Sequence, residues 1–163
     1  MKLFLKHFLT LVFSGSFVFA ADSKPTVISK PPDIQTSSKQ QAEAEKVLND
    51  IFRFYALGDV ESIKEKIDPK MVGLQKILDG ISSDANQCKQ LKVHFTDKQV
   101  QNGTNGEVVI ETNWEKRCLR LPAMQPRLFT GHASFILNNV GNAWVISSIG
   151  GSSPLNPSLP LGR

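Results

Sequence analysis

The sequence predicts an α+β domain in which N-terminal helices pack on one face of an antiparallel sheet. Apolar residues recur at helical spacing between residues 44 and 81, whereas apolar and polar residues alternate from residue 91 onwards. Turns rich in asparagine and glycine, at residues 102–106 and 138–142, separate successive alternating segments, which is typical of hairpins. Helices followed by hairpins belong to the α+β class, because a run of hairpins makes a sheet with one face to bury.

The first 20 residues have the pattern of a cleavable secretory signal. Lys2 and Lys6 give a basic start, and the run from Phe8 to Ala20 is almost wholly apolar. This run is shorter than the roughly 20 apolar residues that a membrane anchor needs. We therefore expect cleavage after Ala20 or Ala21, and an exported protein, periplasmic or secreted, with no stable membrane span after cleavage.

The charge balance gives no support for a strongly charged partner. The chain of 163 residues suits one domain and carries a net charge of +4, and loss of Lys2 and Lys6 with the signal leaves 17 basic and 15 acidic residues. A net charge of +2 gives no reason to expect nucleic acid or an anionic membrane as a partner. We interpret the neighbouring Arg117, Arg120 and Arg127 as a solvated strand end.

The two cysteines, Cys88 and Cys118, are expected to form a disulfide, because the chain is exported and their number is even. Closing a loop of about 30 residues stabilises a fold by roughly 3–4 kcal/mol in the chain-entropy model. Two isolated cysteines and scattered histidines lack the spacing of a zinc site, and the sequence contains no phosphate loop or hydrolase motif. The sequence therefore indicates no metal and no cofactor.

The first helix is predicted to be long. Ser38, with Gln41 three residues later, fits a capping box, and Gly58 supplies the stop. The apolar face of this helix consists of Ala44, Val47, Leu48, Ile51, Phe52 and Tyr55. Residues 21–37, with three prolines and many polar residues, are interpreted as a flexible leader.

Two shorter helices are predicted next. Asp59 is a suitable N-cap for the second helix, and Asp68-Pro69 predicts the start of the third, because proline is favoured at the first helical position. The second helix carries Val60, Ile63 and Ile67; the third carries Met71, Leu74, Leu78 and Ile81. Gly80 is expected to end the third helix.

Four strands in two hairpins complete the predicted domain, and Pro122 and Pro126 mark the connection between the hairpins. The apolar faces of the first pair are Leu91, Val93 and Phe95, then Val108, Ile110, Thr112 and Trp114. In the second pair, one face of the first strand consists of Phe129, Gly131, Ala133, Phe135 and Leu137, and residues 143–149 return beside it.

The cysteines and the apolar pattern demand different registers in the first hairpin. Setting Cys88 opposite Cys118 pairs residues whose numbers sum to 206, which places apolar residues opposite polar ones. Matching the apolar faces needs an odd sum, for example Phe95 opposite Ile110, because a one-residue slip moves every side chain to the other face. Either a bulge near Glu115–Arg117 reconciles the two registers, or Cys88 lies in the loop before the strand.

A long first helix that ends in Phe54-Tyr55-Ala56-Leu57-Gly58-Asp59, a short helix after it, and closing strands at residues 131–137 and 144–150 form a characteristic order. This order of elements resembles that of the NTF2-like superfamily, called cystatin-like in its wider sense. With the predicted signal peptide, the resemblance is to an exported bacterial member of the superfamily. The resemblance covers a domain at residues 38–151 and implies a curved antiparallel sheet that wraps the long helix as a cone with an open mouth. The superfamily includes enzymes, transport factors and secretion-system subunits, so the fold does not select a function.

The tail at residues 152–163 contains three regularly spaced prolines. Pro154, Pro157 and Pro160 recur every third residue, which aligns them on one edge of a polyproline II helix and suits a docking strip. We expect a disordered chain end here instead, because the segment is polar and terminal.

If the domain is an enzyme, the resemblance implies isomerase, cyclase or dehydratase chemistry with acid–base residues inside the cone. The candidates for this alternative are His94, Asp97, Glu111, His132 and Tyr55. His94 and His132 occupy the polar side of their strands, so neither is catalytic if that side faces solvent. In the ketosteroid isomerase branch of the superfamily, a tyrosine precedes the Gly-Asp pair by about two turns, where this chain has the apolar Ile51.

A binding or assembly module is the other class of function. The aromatic residues of the domain have two possible roles. They line the mouth of the cone as a pocket for a small apolar ligand, or they pack in the hydrophobic core. These residues are Phe52, Tyr55, Phe95, Trp114 and Trp144. An exported domain also suits an accessory subunit that contacts an envelope protein through its outer sheet face, an edge strand or its tail. We expect a non-catalytic binding or assembly module, with a small enzyme as the alternative, and the sequence leaves the oligomeric state open.

Overall fold

A computed structural model describes residues 34–156. The predicted signal peptide, residues 21–33 of the predicted leader and residues 157–163 of the tail lie outside the described residues. No helix within the described range is long and apolar enough to cross a membrane. The helices are α1 (Ile34–Leu57), α2 (Val60–Lys64) and α3 (Leu74–Gln87), and the strands are β1 (Cys88–Asn102), β2 (Val108–Arg120), β3 (Gln125–Val140) and β4 (Ala143–Gly151).

The four strands form one antiparallel sheet in the order β1-β2-β3-β4, so each strand pairs with the next one along the chain. α1 packs against β1, β2 and β4, which makes one face of the sheet the inner face and leaves the other as the outer face. The side chains of β2 alternate between buried and more exposed positions, as a strand with one covered face requires. The predicted α+β class, with helices on one sheet face, is confirmed.

The long first helix is confirmed, but its predicted start is wrong. α1 begins at Ile34, so Ser38 lies inside the helix and does not cap it. Residues 34–37 contain neither proline nor glycine, so nothing in them stops the helix from extending towards the N-terminus. The predicted end is right: Gly58 has a φ of 72°, and the amides of Gly58 and Asp59 donate to the carbonyls of Tyr55 and Phe54 in a Schellman arrangement.

The second helix starts as predicted but ends at Lys64, so Ile67 lies outside it, and both predicted ends of the third helix are wrong. The Asp59 carboxylate accepts from the Ser62 amide at 3.1 Å and caps α2. Asp68 instead forms a turn in which its carboxylate accepts from the Lys70 amide, and α3 begins later, at Leu74. Gly80 is buried within α3, because the apolar spacing continues past it and a helical glycine costs only about 1 kcal/mol relative to alanine.

The register of the first hairpin resolves the conflict between the cysteines and the apolar pattern. Phe95 pairs with Trp114, so the numbers of the paired residues have an odd sum, as the apolar pattern required. The predicted pairing of Phe95 with Ile110 is not formed. The irregularity opposite Cys118 inserts its extra residue between Lys89 and Lys92 of β1, and not into Glu115–Arg117 of β2 as proposed. Cys88 is the first residue of β1 and forms the disulfide with Cys118, with their Cα atoms 5.5 Å apart.

Candidate functional site

Aromatic rings fill the inner side of the sheet. Phe52 of α1 packs edge-to-face with Phe95 at a centroid distance of 4.8 Å and with Phe135 at 5.9 Å. The five aromatic residues predicted for a pocket, Phe52, Tyr55, Phe95, Trp114 and Trp144, all lie in the core or packed against it. The structure thus brings these residues together as packing between α1 and the sheet.

A buried polar cluster lies beside this aromatic core. The Lys116 ammonium is 3.1 Å from a carboxylate oxygen of Asp84 and 3.2 Å from the hydroxyl oxygen of Tyr55. The Tyr55 hydroxyl also donates to the same Asp84 oxygen. All three residues are at most 2% exposed. A lysine, an aspartate and a tyrosine are therefore held together out of solvent, where charged side chains are seldom found unless they are paired.

Three different elements position this cluster. Tyr55 occupies the last turn of α1, Asp84 lies on α3, and Lys116 lies on β2. Lys116 follows Trp114 and precedes Cys118 in the alternation of β2, so its side chain points inward with theirs. Asp84 follows the buried Ile81 by three residues and shares its helix face. Of these three residues, the sequence analysis named only Tyr55.

The first residues of the tail close over the cluster. Residues 152–156, here called the C-terminal strap, follow β4 and include Leu155, which is 0% exposed. Lys116 donates to the carbonyl of Pro154 at 2.8 Å and to that of Asn156 at 2.6 Å. The predicted disordered tail is therefore wrong for residues 152–156, because the apolar Leu155 and the buried ammonium together hold this segment in place.

Trp114 holds the start of the strap. Its indole Nε1 donates to the carbonyl of Ser152 at 2.6 Å, and the Ser152 amide donates to the carbonyl of His132. Gly131 faces Trp114 across the β2–β3 ladder, and a Cβ atom at Gly131 would lie 2.6 Å from the indole ring. A side chain at position 131 would therefore displace the ring that anchors the strap.

Burial dominates the electrostatics of the cluster. Burial raises the pKa of the Tyr55 hydroxyl far above its ordinary range, and the Asp84 carboxylate raises it further. Burial lowers the pKa of the Lys116 ammonium, while the charge and hydrogen bond of Asp84 act in the opposite direction. Four acceptor atoms surround the three N–H groups of Lys116, so this amine is engaged as a hydrogen-bond donor and not held ready as a nucleophile.

The raised pKa of Tyr55 leads to a prediction that absorbance can test directly, because Tyr55 is the only tyrosine in the sequence. We expect the native protein to show no tyrosinate absorbance at about pH 11, where a free phenol with a pKa of about 10 is mostly ionised. A raised folded-state pKa contributes stability that is present below the unfolded pKa and is lost as the pH rises above it. An absorbance step near pH 10 while circular dichroism stays native would contradict the burial of this hydroxyl.

The cavity next to the cluster is small. Its volume is about 130 Å³, and Tyr55, Gly58, Asp84, Cys88 and Leu91 are among its lining residues. Small-molecule sites usually occupy about 300–1,000 Å³. Among residues 34–156, no three His, Cys, Asp or Glu side chains group as a metal site would require.

The acid–base residues predicted for an enzyme lie elsewhere. His94, Asp97 and His132 are exposed and Glu111 is half-buried, and the outward phase of β2 and β3 places Glu111 and His132 on the outer face. Asp97 accepts a hydrogen bond from the Asn113 amide at 3.0 Å. The structure therefore does not bring these four residues together with Tyr55 in the interior.

A shallow groove crosses one end of the outer face. Lys92 and Arg117 pair across β1 and β2, and Leu119, Pro126 and Leu128 provide apolar surface beside them. Leu128 is 58% exposed, and the groove has a volume of about 500 Å³. The arginines interpreted as a solvated strand end, Arg117, Arg120 and Arg127, are all exposed, and Arg117 and Arg127 line the groove.

No protein-family model and no curated protein sequence matches the chain. Solved structures do match it in fold. An NTF2-like superfamily protein from Salmonella enterica serovar Typhimurium LT2 is 14% identical, with a TM-score of 0.62, over 77% of this chain and 99% of that one. A putative scytalone dehydratase from Novosphingobium aromaticivorans DSM 12444 is 11% identical, with a TM-score of 0.62, over 80% of this chain and 99% of that one.

A third similar structure is the association domain of C. elegans CaMKII. It is 11% identical, with a TM-score of 0.58, and the match covers 73% of this chain and 99% of that domain. The structural similarity establishes the fold, whereas sequence identities this low leave the function open. The chain has the NTF2-like fold: helices followed by a curved four-stranded antiparallel sheet, as the resemblance implied.

Proposed function

We propose that this chain is an exported, non-catalytic binding or assembly module of the cell envelope, which contacts a protein partner through the outer face of its sheet. The observation that carries this proposal is the contrast between the two faces. The inner face is covered by helices and the C-terminal strap and holds a packed core. The outer face of β1 to β3 presents half-buried and exposed side chains, including the groove beside Leu128.

The arrangement of titratable groups supports a module without its own chemistry. General acid–base catalysis needs a titratable group within reach of a substrate in a pocket. His94 and His132 are exposed on the sheet, whereas Lys116 is enclosed and fully hydrogen-bonded. The alternative of a small enzyme finds its candidates outside the cone: His94 borders an open hollow of about 590 Å³ on the sheet, and the lining of that hollow includes none of Asp97, Glu111 and His132.

The disulfide and the N-terminal pattern support export. Disulfides persist in oxidising compartments such as the bacterial periplasm and are rare in the cytosol. Cys88 and Cys118 lie at disulfide distance, and residues 1–20 have the composition of a secretory signal. Both features support the proposal of a periplasmic or secreted location.

The charges around the groove favour an acidic partner segment. The exposed basic residues at this end of the sheet are Lys89, Lys92, Arg117, Arg120 and Arg127. The carboxylate of Glu115 lies beside them, and the Nε atom of Arg117 is 2.5 Å from it. We infer an occupant with acidic residues and one apolar side chain, which would lie against Leu119 and Leu128. The C. elegans domain is named as an association domain, so the fold serves assembly in that protein.

A photo-crosslinking experiment tests the proposed surface. A photoreactive residue placed at Leu128 is expected to form an adduct with an envelope protein, whereas the same residue at Val72, which is 97% exposed on the helical side, is not. Arg117→Glu should reduce the Leu128 adduct about tenfold, because it sets a negative charge against the acidic segment.

Lys46→Glu provides the matched control for this experiment, since it makes the same charge change on the exposed side of α1 and should leave the adduct unchanged. Equal adduct yields from Leu128 and Val72 would contradict the proposed surface. A Leu128 adduct that Arg117→Glu and Lys46→Glu reduce equally would contradict the role of the groove charges.

A further inference from the structure

We propose that the interior beneath the C-terminal strap is a binding site for neutral carbonyl groups, and that the strap is its intramolecular ligand. This inference concerns the inner side of the sheet and does not depend on the partner of the outer face. It goes beyond a filled core, because the strap is held by side chains that act as a set of hydrogen-bond donors.

Two interior side chains donate hydrogen bonds to the carbonyls of the strap. The indole of Trp114 donates to the carbonyl of Ser152 at 2.6 Å. The Lys116 ammonium donates to the carbonyls of Pro154 and Asn156 at 2.8 Å and 2.6 Å. The Tyr55 hydroxyl lies 3.3 Å from the Pro154 oxygen, but its proton is donated to Asp84. Alternate carbonyls of a short peptide are therefore bound by two side chains of β2, Trp114 and Lys116.

The chemistry of these donors selects neutral acceptors. An indole N–H and an ammonium group can only donate, so they need oxygen atoms from the ligand. The Asp84 carboxylate lies 3.1 Å from the ammonium and balances its charge. A carboxylate ligand would add a second anion beside Asp84 in a buried site, whereas an amide or ketone oxygen would not.

An apolar side chain between the carbonyls completes the ligand. Leu155 is 0% exposed and stands between Pro154 and Asn156, whose oxygens both bind Lys116. The site therefore suits a short peptide, or another neutral carbonyl compound, that carries a leucine-sized branched group. Burial of such a group supplies the affinity, and the donors fix its orientation.

The strap is arranged so that it can leave without breaking the sheet. The amides of Leu155 and Asn156 are bonded within the strap, to the hydroxyl and the carbonyl of Ser153. The Ser152 amide donates to His132, next to the end of the β3–β4 ladder, where Ala133 pairs with Gly151. Departure of residues 153–156 thus leaves the strand pairs intact, which is the condition for local opening.

Hydrogen exchange on the unaltered, full chain tests the departure of the strap. We expect the amides of Leu155 and Asn156 to exchange at least ~100-fold faster than that of Ile110 in β2, because local opening is cheaper than global unfolding. An equal rate at all three amides would mean that the strap opens only with the whole fold, and it would overturn the proposal.

A matched pair of small probes tests the chemical class of the ligand. In a full-length Leu155→Ala chain, which weakens the strap, N-acetyl-leucinamide should bind about tenfold more tightly than N-acetyl-leucine, because the second probe carries a carboxylate. The unaltered chain should bind the amide probe at least ~10-fold more weakly than the variant, because its strap occupies the site.

Two results of the probe experiment would overturn the proposal: tighter binding of the carboxylate probe, or no binding of either probe to a Leu155→Ala chain that circular dichroism shows to be folded. If this variant does not fold, the exchange rates of the unaltered chain still decide the question. A peptide of residues 151–163 carrying Leu155→Asp serves as the negative control for side-chain recognition, since a buried site for leucine rejects an aspartate.

Discussion

Replacing Lys116 by methionine is expected to lower the free energy of unfolding by about 3–5 kcal/mol, because it removes the ammonium group from beside a buried carboxylate. The Asp84 carboxylate would remain at 1% exposure without the Lys116 ammonium, and the carbonyls of Pro154 and Asn156 would lose their donor. Urea denaturation of the variant and of the unaltered chain, followed by circular dichroism, measures the difference.

A double variant separates the charge from the volume of the side chain. Lys116→Met combined with Asp84→Leu should recover most of the loss, since an apolar pair of similar size often replaces a buried ion pair at little cost. Lys92→Met, at an exposed position of the neighbouring strand, should change the free energy of unfolding by less than about 0.5 kcal/mol. A Lys116→Met loss as small as that of Lys92→Met would mean that water reaches Asp84 in the native protein.

The alternation of apolar residues made the sheet predictable. Phe135 and Leu137 lie two residues apart on β3 and are both buried, as their spacing requires. The helix ends were harder to predict, because weak local signals decide them. Ser38 has the chemistry of an N-cap but lies inside α1, and Gly80 has the chemistry of a helix stop but packs inside α3. Tertiary packing overrides the preference at Gly80, whereas at Ser38 the helix continues because residues 34–37 contain no proline or glycine.

The buried cluster was missed for a different physical reason. Pattern analysis assigns a charged residue to solvent unless its partner is visible, and the partner of Lys116 is Asp84, 32 residues earlier on a helix. The sequence did contain a signal, which is the position of each residue in the periodic pattern. Lys116 lies at an inward position of β2, between Trp114 and Cys118, and Asp84 lies on the buried face of α3 with Ile81. Each is a charge at a core position, and the two charges are opposite.

The strap shows the same limit at the end of the chain. Its two serines, its proline and its asparagine indicate a disordered tail by composition, and Leu155 is the one strongly apolar residue among residues 152–156. What orders the segment is the donor set of Trp114 and Lys116, which composition does not reveal. A short tail becomes part of a core when the core supplies partners for its carbonyls.

Removing the disulfide by Cys88→Ala with Cys118→Ala is expected to lower the free energy of unfolding by about 3–4 kcal/mol. The two cysteines are 30 residues apart in sequence, so the bond closes a loop across the first hairpin and restricts the unfolded chain. Cys88 also follows α3 directly, and Cys118 lies two residues after Lys116. The bond therefore fixes the helix that carries Asp84 to the strand that carries Lys116.

Denaturation of both proteins with and without a reductant measures this contribution. The reductant should destabilise the unaltered chain by about the same 3–4 kcal/mol and leave the double variant unchanged, because the variant has no bond to break. Two reactive thiols in the unaltered chain, unfolded without reductant, would show that the bond does not form. If the bond forms but its reduction changes the free energy of unfolding little, the contact of Asp84 on α3 with Lys116 on β2 must hold these elements together without the bond. The Lys116→Met variant would then lose more free energy of unfolding under reducing conditions than under oxidising ones.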